Sequence, residues 1–329
     1  MPTDEWGRRQ ASQEGHCENL LLHLADLGDQ EEIDSFLAKQ SAAGAYGVRD
    51  DQALIKALEL LSPTRTAELI SAILNHNASV QPVACSNLLA RCTDARPEHR
   101  VSLRLAAEVL LQALPGDAPN PPAVNHGRQS EAPTSGMLAD VLSALELIDG
   151  ELANQALGHF LTNPATYSVD RLLLPAVQSL CASKQTRGLP TVHDMRGAVI
   201  SHLQQRVAEP LEPPADWRRP SKIGCTCTYC GDLSRFLSDP SQPVWLLKAA
   251  QATRTHVEHF IRASHCDLDC VTERRGSPHT LRCTKNQASY QRRVEQRRRD
   301  LEHLLELCGG RQDASGPDNG HRQRSNDNP

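Results

Sequence analysis

Three cysteines within six residues, Cys225-Thr226-Cys227-Thr228-Tyr229-Cys230, constrain this chain more than any other stretch. A C-x-C-x-x-C cluster gathers three soft donors without help from distant parts of the fold. Thiolates at that spacing suit Zn²⁺, which takes four tetrahedral N/S ligands in a structural site. The fourth ligand must come from elsewhere. His256, on the following helix, and Cys283, at the end of an expected strand, are the candidates. Cys266 and Cys270 make a C-x-x-x-C pair expected on a loop and are weaker donors. The competing readings are three thiols without metal and a redox-active pair. A small module poor in aromatics gains from a metal staple, because it has little core of its own.

The 329 residues leave room for two domains. Aromatic residues make up only 3% of the chain, and its apolar side chains are mostly Leu, Ala and Val. That composition favours helix-on-helix packing over a β-sandwich, which leans on β-branched and aromatic side chains. Helical periodicity starts at Asn19, is broken by Gly28-Asp29, and resumes from Glu31 to Lys39. Further helices fit 50–61, 63–75, 81–92, 98–114, 136–148, 151–163, 168–183 and 191–208. Pro63 stands where a first-turn proline is tolerated, with Ser62 as N-cap. Residues 115–134 hold five prolines and read as a flexible linker.

The two halves echo each other. Leu24-Ala25-Asp26-Leu27-Gly28-Asp29 leads to Phe36-Leu37 and Tyr46-Gly47-Val48. Leu145-Glu146-Leu147-Ile148-Asp149-Gly150 leads, at nearly the same spacing, to Phe160-Leu161 and Tyr167-Ser168-Val169. Repeated helical hairpins of this kind stack into α-solenoids. The predicted fold is therefore mainly α: α-solenoid-like helical repeats over 17–208, in two halves about the linker 115–134, then a small Cys-rich α+β module over 221–308. The polar ends, 1–16 and 311–329, read as disordered tails.

Within the second module, Leu233–Leu237 begins a short helix ended by Asp239-Pro240, and one helix fits Val244 to Ala263. Two short strands, Val271–Arg275 and His279–Thr284, flank Gly276-Ser277, and a long basic helix fits 286–308. The proline-rich run Glu209–Pro214 cannot continue a helix and separates the modules. Trp217 is expected to dock that segment by burying its indole.

Net charge is −5, but from Lys248 to Asp300 twelve Lys/Arg stand against six Asp/Glu. Arg292, Arg293, Arg297, Arg298 and Arg299 fall within eight residues of one helix and are candidate phosphate contacts for nucleic acid. Stacking aromatics are nearly absent beside them, which argues against reading of single strands. The polar start shows no signal peptide, and no apolar run approaches the ~20 residues of a membrane helix. A cytoplasmic, reducing setting follows, or a nuclear one in a eukaryote, without membrane contact. His265-Cys266-Asp267 has the His-x-Asp form of an iron facial triad, but its only far-downstream histidine, His321, falls in the C-terminal tail. No Gly-rich phosphate loop, Gly-x-Ser-x-Gly elbow or His-Glu-x-x-His is present, so no catalytic residue is assigned.

The ordered series Cys225-x-Cys227-x-x-Cys230, Leu233–Pro240, Arg254-Thr255-His256 and Thr272–Lys285 resembles the C-terminal region of large proteins. In those, a prolyl 4-hydroxylase-like 2-oxoglutarate/Fe(II) oxygenase domain precedes a long helical region. The likeness covers about residues 220–305 and singles out Cys225, Cys227, Cys230, His256 and Cys283. It implies an accessory or truncated part of such an oxygenase rather than its catalytic domain. From the residues themselves, the chain reads as a non-catalytic scaffold with a structural zinc and a protein partner. Nucleic-acid binding through the arginine helix is the further alternative.

Overall fold

The computed structural model describes residues 19–42, 52–117, 131–219 and 221–309. The expected tails, most of the expected linker and Tyr46-Gly47-Val48 of the repeat lie outside the described residues. The chain forms two compact units, divided after Ile200.

Among the described residues, ten α-helices begin in the first unit. They are α1 (residues 19–27), α2 (Gln30–Ala42), α3 (Gln52–Leu58), α4 (Pro63–Asn77), α5 (Pro82–Ala95), α6 (Arg104–Ala113), α7 (Ser135–Ile148), α8 (Gly150–Thr162), α9 (Leu174–Ala182) and α10 (Pro190–Ala208). Local chemistry sets their ends. Gly28 takes φ +70, a left-handed turn that glycine adopts without penalty, and its amide closes α1 on Leu24 and Ala25. Asp29 then accepts from the Glu32 amide at the head of α2. Ser62 accepts from the Arg65 amide and Pro63 opens α4, as the sequence predicts. The expected helix 98–114 opens instead as a 3₁₀ turn, Pro97–Leu103, whose first residue lacks an amide and whose N-cap, Arg96, makes no side-chain cap. The expected helix 168–183 opens as a π turn, Val169–Leu173. It lies just before Pro175, which cannot donate to the carbonyl one turn back.

Small and aliphatic side chains fill the core of this unit, where α5 packs on α7, α4 on α6 and α7 on α8 and α9. Phe160 and Tyr167 are fully buried with ring centroids 4.7 Å apart. The head of the expected linker is tied down. Pro115 O accepts from Tyr167 Oη at 2.6 Å and lies 2.9 Å from His159 Nε2. The Asp117 amide donates to Asn163 Oδ1, and its carboxylate accepts from the amides of Thr166 and Ala165. Burial alone would raise the Asp117 carboxyl, but these donors hold it below its ordinary value. Gly116 between them sits close to Asn163, since a Cβ would meet Asn163 Oδ1 at 3.1 Å.

The second unit contains α11 (Thr228–Ser238), β1 (Val244–Lys248), α12 (Gln251–Ala263), β2 (Leu268–Glu273), β3 (Thr280–Lys285) and α13 (Ala288–Gly309). The single helix expected over Val244–Ala263 is thus a strand followed by a helix. Its first four residues, Val244–Leu247, are a short apolar run, which fits a strand or a helix equally well by periodicity. The antiparallel sheet has the order β1-β3-β2. Register pairs Leu247 with Leu281, Trp245 with Cys283 and Cys270 with Cys283. The core joins Leu233, Phe236 and Leu237 of α11 to Val257 and Ile261 of α12 and to Leu247, Leu268, Leu281 and Cys283 of the sheet.

Trp217 does not dock its segment: the indole is 40% exposed. Arg219 does so instead, buried at 3%. Its amide donates to Leu237 O, and its guanidinium donates to the carbonyls of Asn286, Asp216 and Arg218. A planar fork with five donors satisfies several carbonyls at once, which an indole with one N–H cannot. Asp300 of α13, 1% exposed in its side chain, accepts both Nε and Nη2 of Arg206 and a bond from Gln296. Asp267 accepts from the amide and hydroxyl of Ser289 and so fixes the start of α13. That is a structural role for the His-x-Asp motif. Among the described residues, no helix is long and apolar enough to cross a membrane.

Candidate metal centre

The C-x-C-x-x-C stretch enters α11. Cys225 precedes the helix, Cys227 is its N-cap, and Cys230 lies in its first turn and is buried. His256 projects from the middle of α12, one turn before Phe260, whose ring centroid is 4.9 Å from the imidazole. The packing of α11 on α12 brings the two elements together.

His256 Nε2 stands 3.5 Å from Cys225 Sγ, 3.4 Å from Cys227 Sγ and 3.5 Å from Cys230 Sγ. One imidazole nitrogen cannot hydrogen-bond three sulfurs well at once. Near-equal distances are instead those of one corner of a tetrahedron to the other three. Tetrahedral bonds of about 2.3 Å to sulfur and about 2.05 Å to nitrogen place S and N about 3.6 Å apart. All four donor atoms lie within 4.8 Å of one another, so the set can hold a metal ion.

The electrostatics favour a cation. The Cys227 thiol is pulled down to about 7, chiefly by the backbone amide of Cys230. The Cys230 thiol is pushed up to about 12 by burial and then by its neighbouring thiols. Three thiols this close cannot all ionise without a counter-charge, and a bound cation relieves that repulsion. The amide groups at the start of α11 add positive potential on the same side.

Of the five ligand candidates in the sequence, the structure brings four together: Cys225, Cys227, Cys230 and His256. Cys283 is elsewhere, fully buried on β3 against Cys270. Cys270 is itself on β2 rather than on a loop, whereas Cys266 is on the turn before it. Strand alternation explains this. Cys283 shares an inward face with Leu281, and the direction of that face was not legible before β1 was known.

The arginine group of α13 is largely engaged. Arg298 bonds both carboxylate oxygens of Glu295 and also reaches Glu302. Arg299 lies 3.7 Å from Glu295, Arg297 donates to Glu209 O, and Arg292 donates to Ser289 Oγ. Arg293 is exposed.

Comparison of the chain with protein-family models, with curated proteins and with solved structures finds no match.

Proposed function

We propose that this protein is a non-catalytic scaffold whose Cys-rich module is stapled by one Zn²⁺ at Cys225, Cys227, Cys230 and His256. The carrying observation is the near-equal distance of His256 Nε2 from three sulfurs. A donor set of three sulfurs and one nitrogen is soft and tetrahedral, which suits zinc and suits oxygen-seeking or square-planar ions poorly. Four protein ligands close the coordination shell, so the ion holds structure and leaves no position open for substrate.

The helices of the first unit serve as α-solenoid-like repeats that bind a protein partner. Supporting the repeat, Asp29 and Asp149 each cap the helix after the matching break, α2 and α8. A cytoplasmic setting accords with thiols kept as ligands. Metal analysis of the purified full chain tests the central claim. About one zinc per chain is expected, lost in Cys225→Ser and Cys227→Ser. Metal-free protein with unchanged melting would overturn it.

An accessory part of a 2-oxoglutarate/Fe(II) oxygenase is the second reading. It rests on the ordered likeness over about residues 220–305, whose Cys225, Cys227, Cys230 and His256 converge in one cluster. An oxygenase gene next to this one or fused upstream of it would favour this reading, and incubation with Fe²⁺ and 2-oxoglutarate tests whether the chain has catalysis of its own. The chain alone is expected to make no succinate, and succinate that vanishes in His265→Ala would replace the scaffold reading. Nucleic-acid binding has less support, because Arg292, Arg298 and Arg299, three of the five arginines that would carry it, already pair with carboxylates within the module.

A further inference from the structure

Two thiols outside the metal cluster meet on the sheet. Register sets Cys270 of β2 directly opposite Cys283 of β3. Their sulfurs are 3.3 Å apart. Cys283 is fully buried in the core of the second unit, while Cys270 and Cys266 pack against that core only partly buried. Directly opposed residues of antiparallel strands hold their Cα atoms about 4.5–5.5 Å apart. A disulfide spans Cα separations of about 4.4–6.8 Å, so the backbone already fits one. The sulfurs need to approach by only about 1.3 Å to bond.

We propose that Cys270 and Cys283 are a modification site for hydroperoxides, which convert the two thiols into a cross-strand disulfide. The Cys270 sulfur attacks one peroxide oxygen. An S–O bond forms, the O–O bond breaks, and the departing oxygen takes up a proton as water or alcohol. Cys283 Sγ then attacks the Cys270 sulfur. The S–S bond forms, the S–O bond breaks, and hydroxide leaves as water with the Cys283 proton. Two thiols lose two electrons and the peroxide gains them.

The surroundings assign the two roles. Its hydrogen bond with Cys283 holds the Cys270 thiol below the ordinary value. Arg262 assists, while burial, Glu258 and Asp269 oppose. That hydrogen bond and burial hold the Cys283 thiol up. The more accessible sulfur is thus the better nucleophile, and the buried one meets only its neighbour. Cys266, whose thiol is pushed up by burial, is the competitor.

The test uses the full chain with its metal. Protein is treated with a small molar excess of hydrogen peroxide, free thiols are blocked with N-ethylmaleimide, and tryptic peptides are sequenced by tandem mass spectrometry. The expected product is Cys283–Lys285 joined to Ala263–Arg274 through Cys270, separated again by dithiothreitol. Cys270→Ser is expected to abolish the link and Cys266→Ser to leave it. Recovery of Cys283 fully alkylated, or a link localised to Cys266, would overturn the proposal. Fragmentation of the wild-type peptide decides between them even if a variant fails to fold. The link is read separately from metal content, so it stands or falls apart from the zinc assignment.

Discussion

His256→Ala is the most informative single change, because three of the four donors come from one short stretch and only His256 ties them to a second element. Without it the cysteines remain tethered to α11, but nothing in the coordination shell holds α11 to α12. Their shared core of Leu233, Phe236, Leu237, Val257 and Ile261 must then hold the contact alone. Free zinc at about a thousand times its dissociation constant stabilises the folded form by about 4 kcal/mol. In a unit of about 100 residues, 1 kcal/mol moves the melting temperature by about 4–8 °C. Loss of the metal should therefore lower the melting of the second unit by about 15–30 °C. Calorimetry of the full chain is expected to show that fall in one transition, with the transition of the first unit unmoved. Chelator should reproduce it in wild-type protein. His256→Cys, which restores four ligands, should recover most of the loss. A His256→Ala protein that keeps its zinc and its melting profile would refute the reasoning, as would an equal fall in both transitions.

Arg206→Ala removes the charged partner of the buried Asp300 carboxylate and is expected to cost about 3–5 kcal/mol in denaturant unfolding, whereas breaking an exposed pair such as Arg298–Glu302 should leave the unfolding midpoint nearly unchanged. Metal loading strips protons from thiols, one of them pushed up to about 12, so affinity should climb with pH and metal should leave on acidification; competition with a chromophoric chelator from about pH 6 to pH 8 checks the slope. Tyr167→Phe removes the bond to Pro115 O and should cost about 1 kcal/mol. Gly116→Ala should lower the urea midpoint modestly by crowding Asn163 Oδ1, which the Asp117 amide holds in place.

Much of this could be read from residues. The helices of the first unit followed from leucine spacing and from punctuation by Gly28-Asp29 and Pro63. The three-thiol cluster and His256 followed from ligand chemistry. Three things did not. β1 was hidden because Val244–Lys248 runs into a helical pattern at Ala250, a residue that makes no side-chain cap to mark the boundary. The exclusion of Cys283 from the metal shell depends on the face of β3, and only the register with β1 and β2 fixes it. The docking role passed from Trp217 to Arg219, because the partners that decide it are backbone carbonyls distant in sequence, and side-chain identity does not advertise those.

The strand order β1-β3-β2 carries a consequence for synthesis. The middle strand is the last of the three to leave the ribosome. Until residues 280–285 emerge, β1 and β2 are lone edges with nothing to pair with, and unpaired edges invite association with other chains. The donors at 225, 227, 230 and 256 are all translated before that point. With an ion bound as proposed, a nascent chain can close that site first, holding α11 on α12 as a platform on which β3 later completes the sheet.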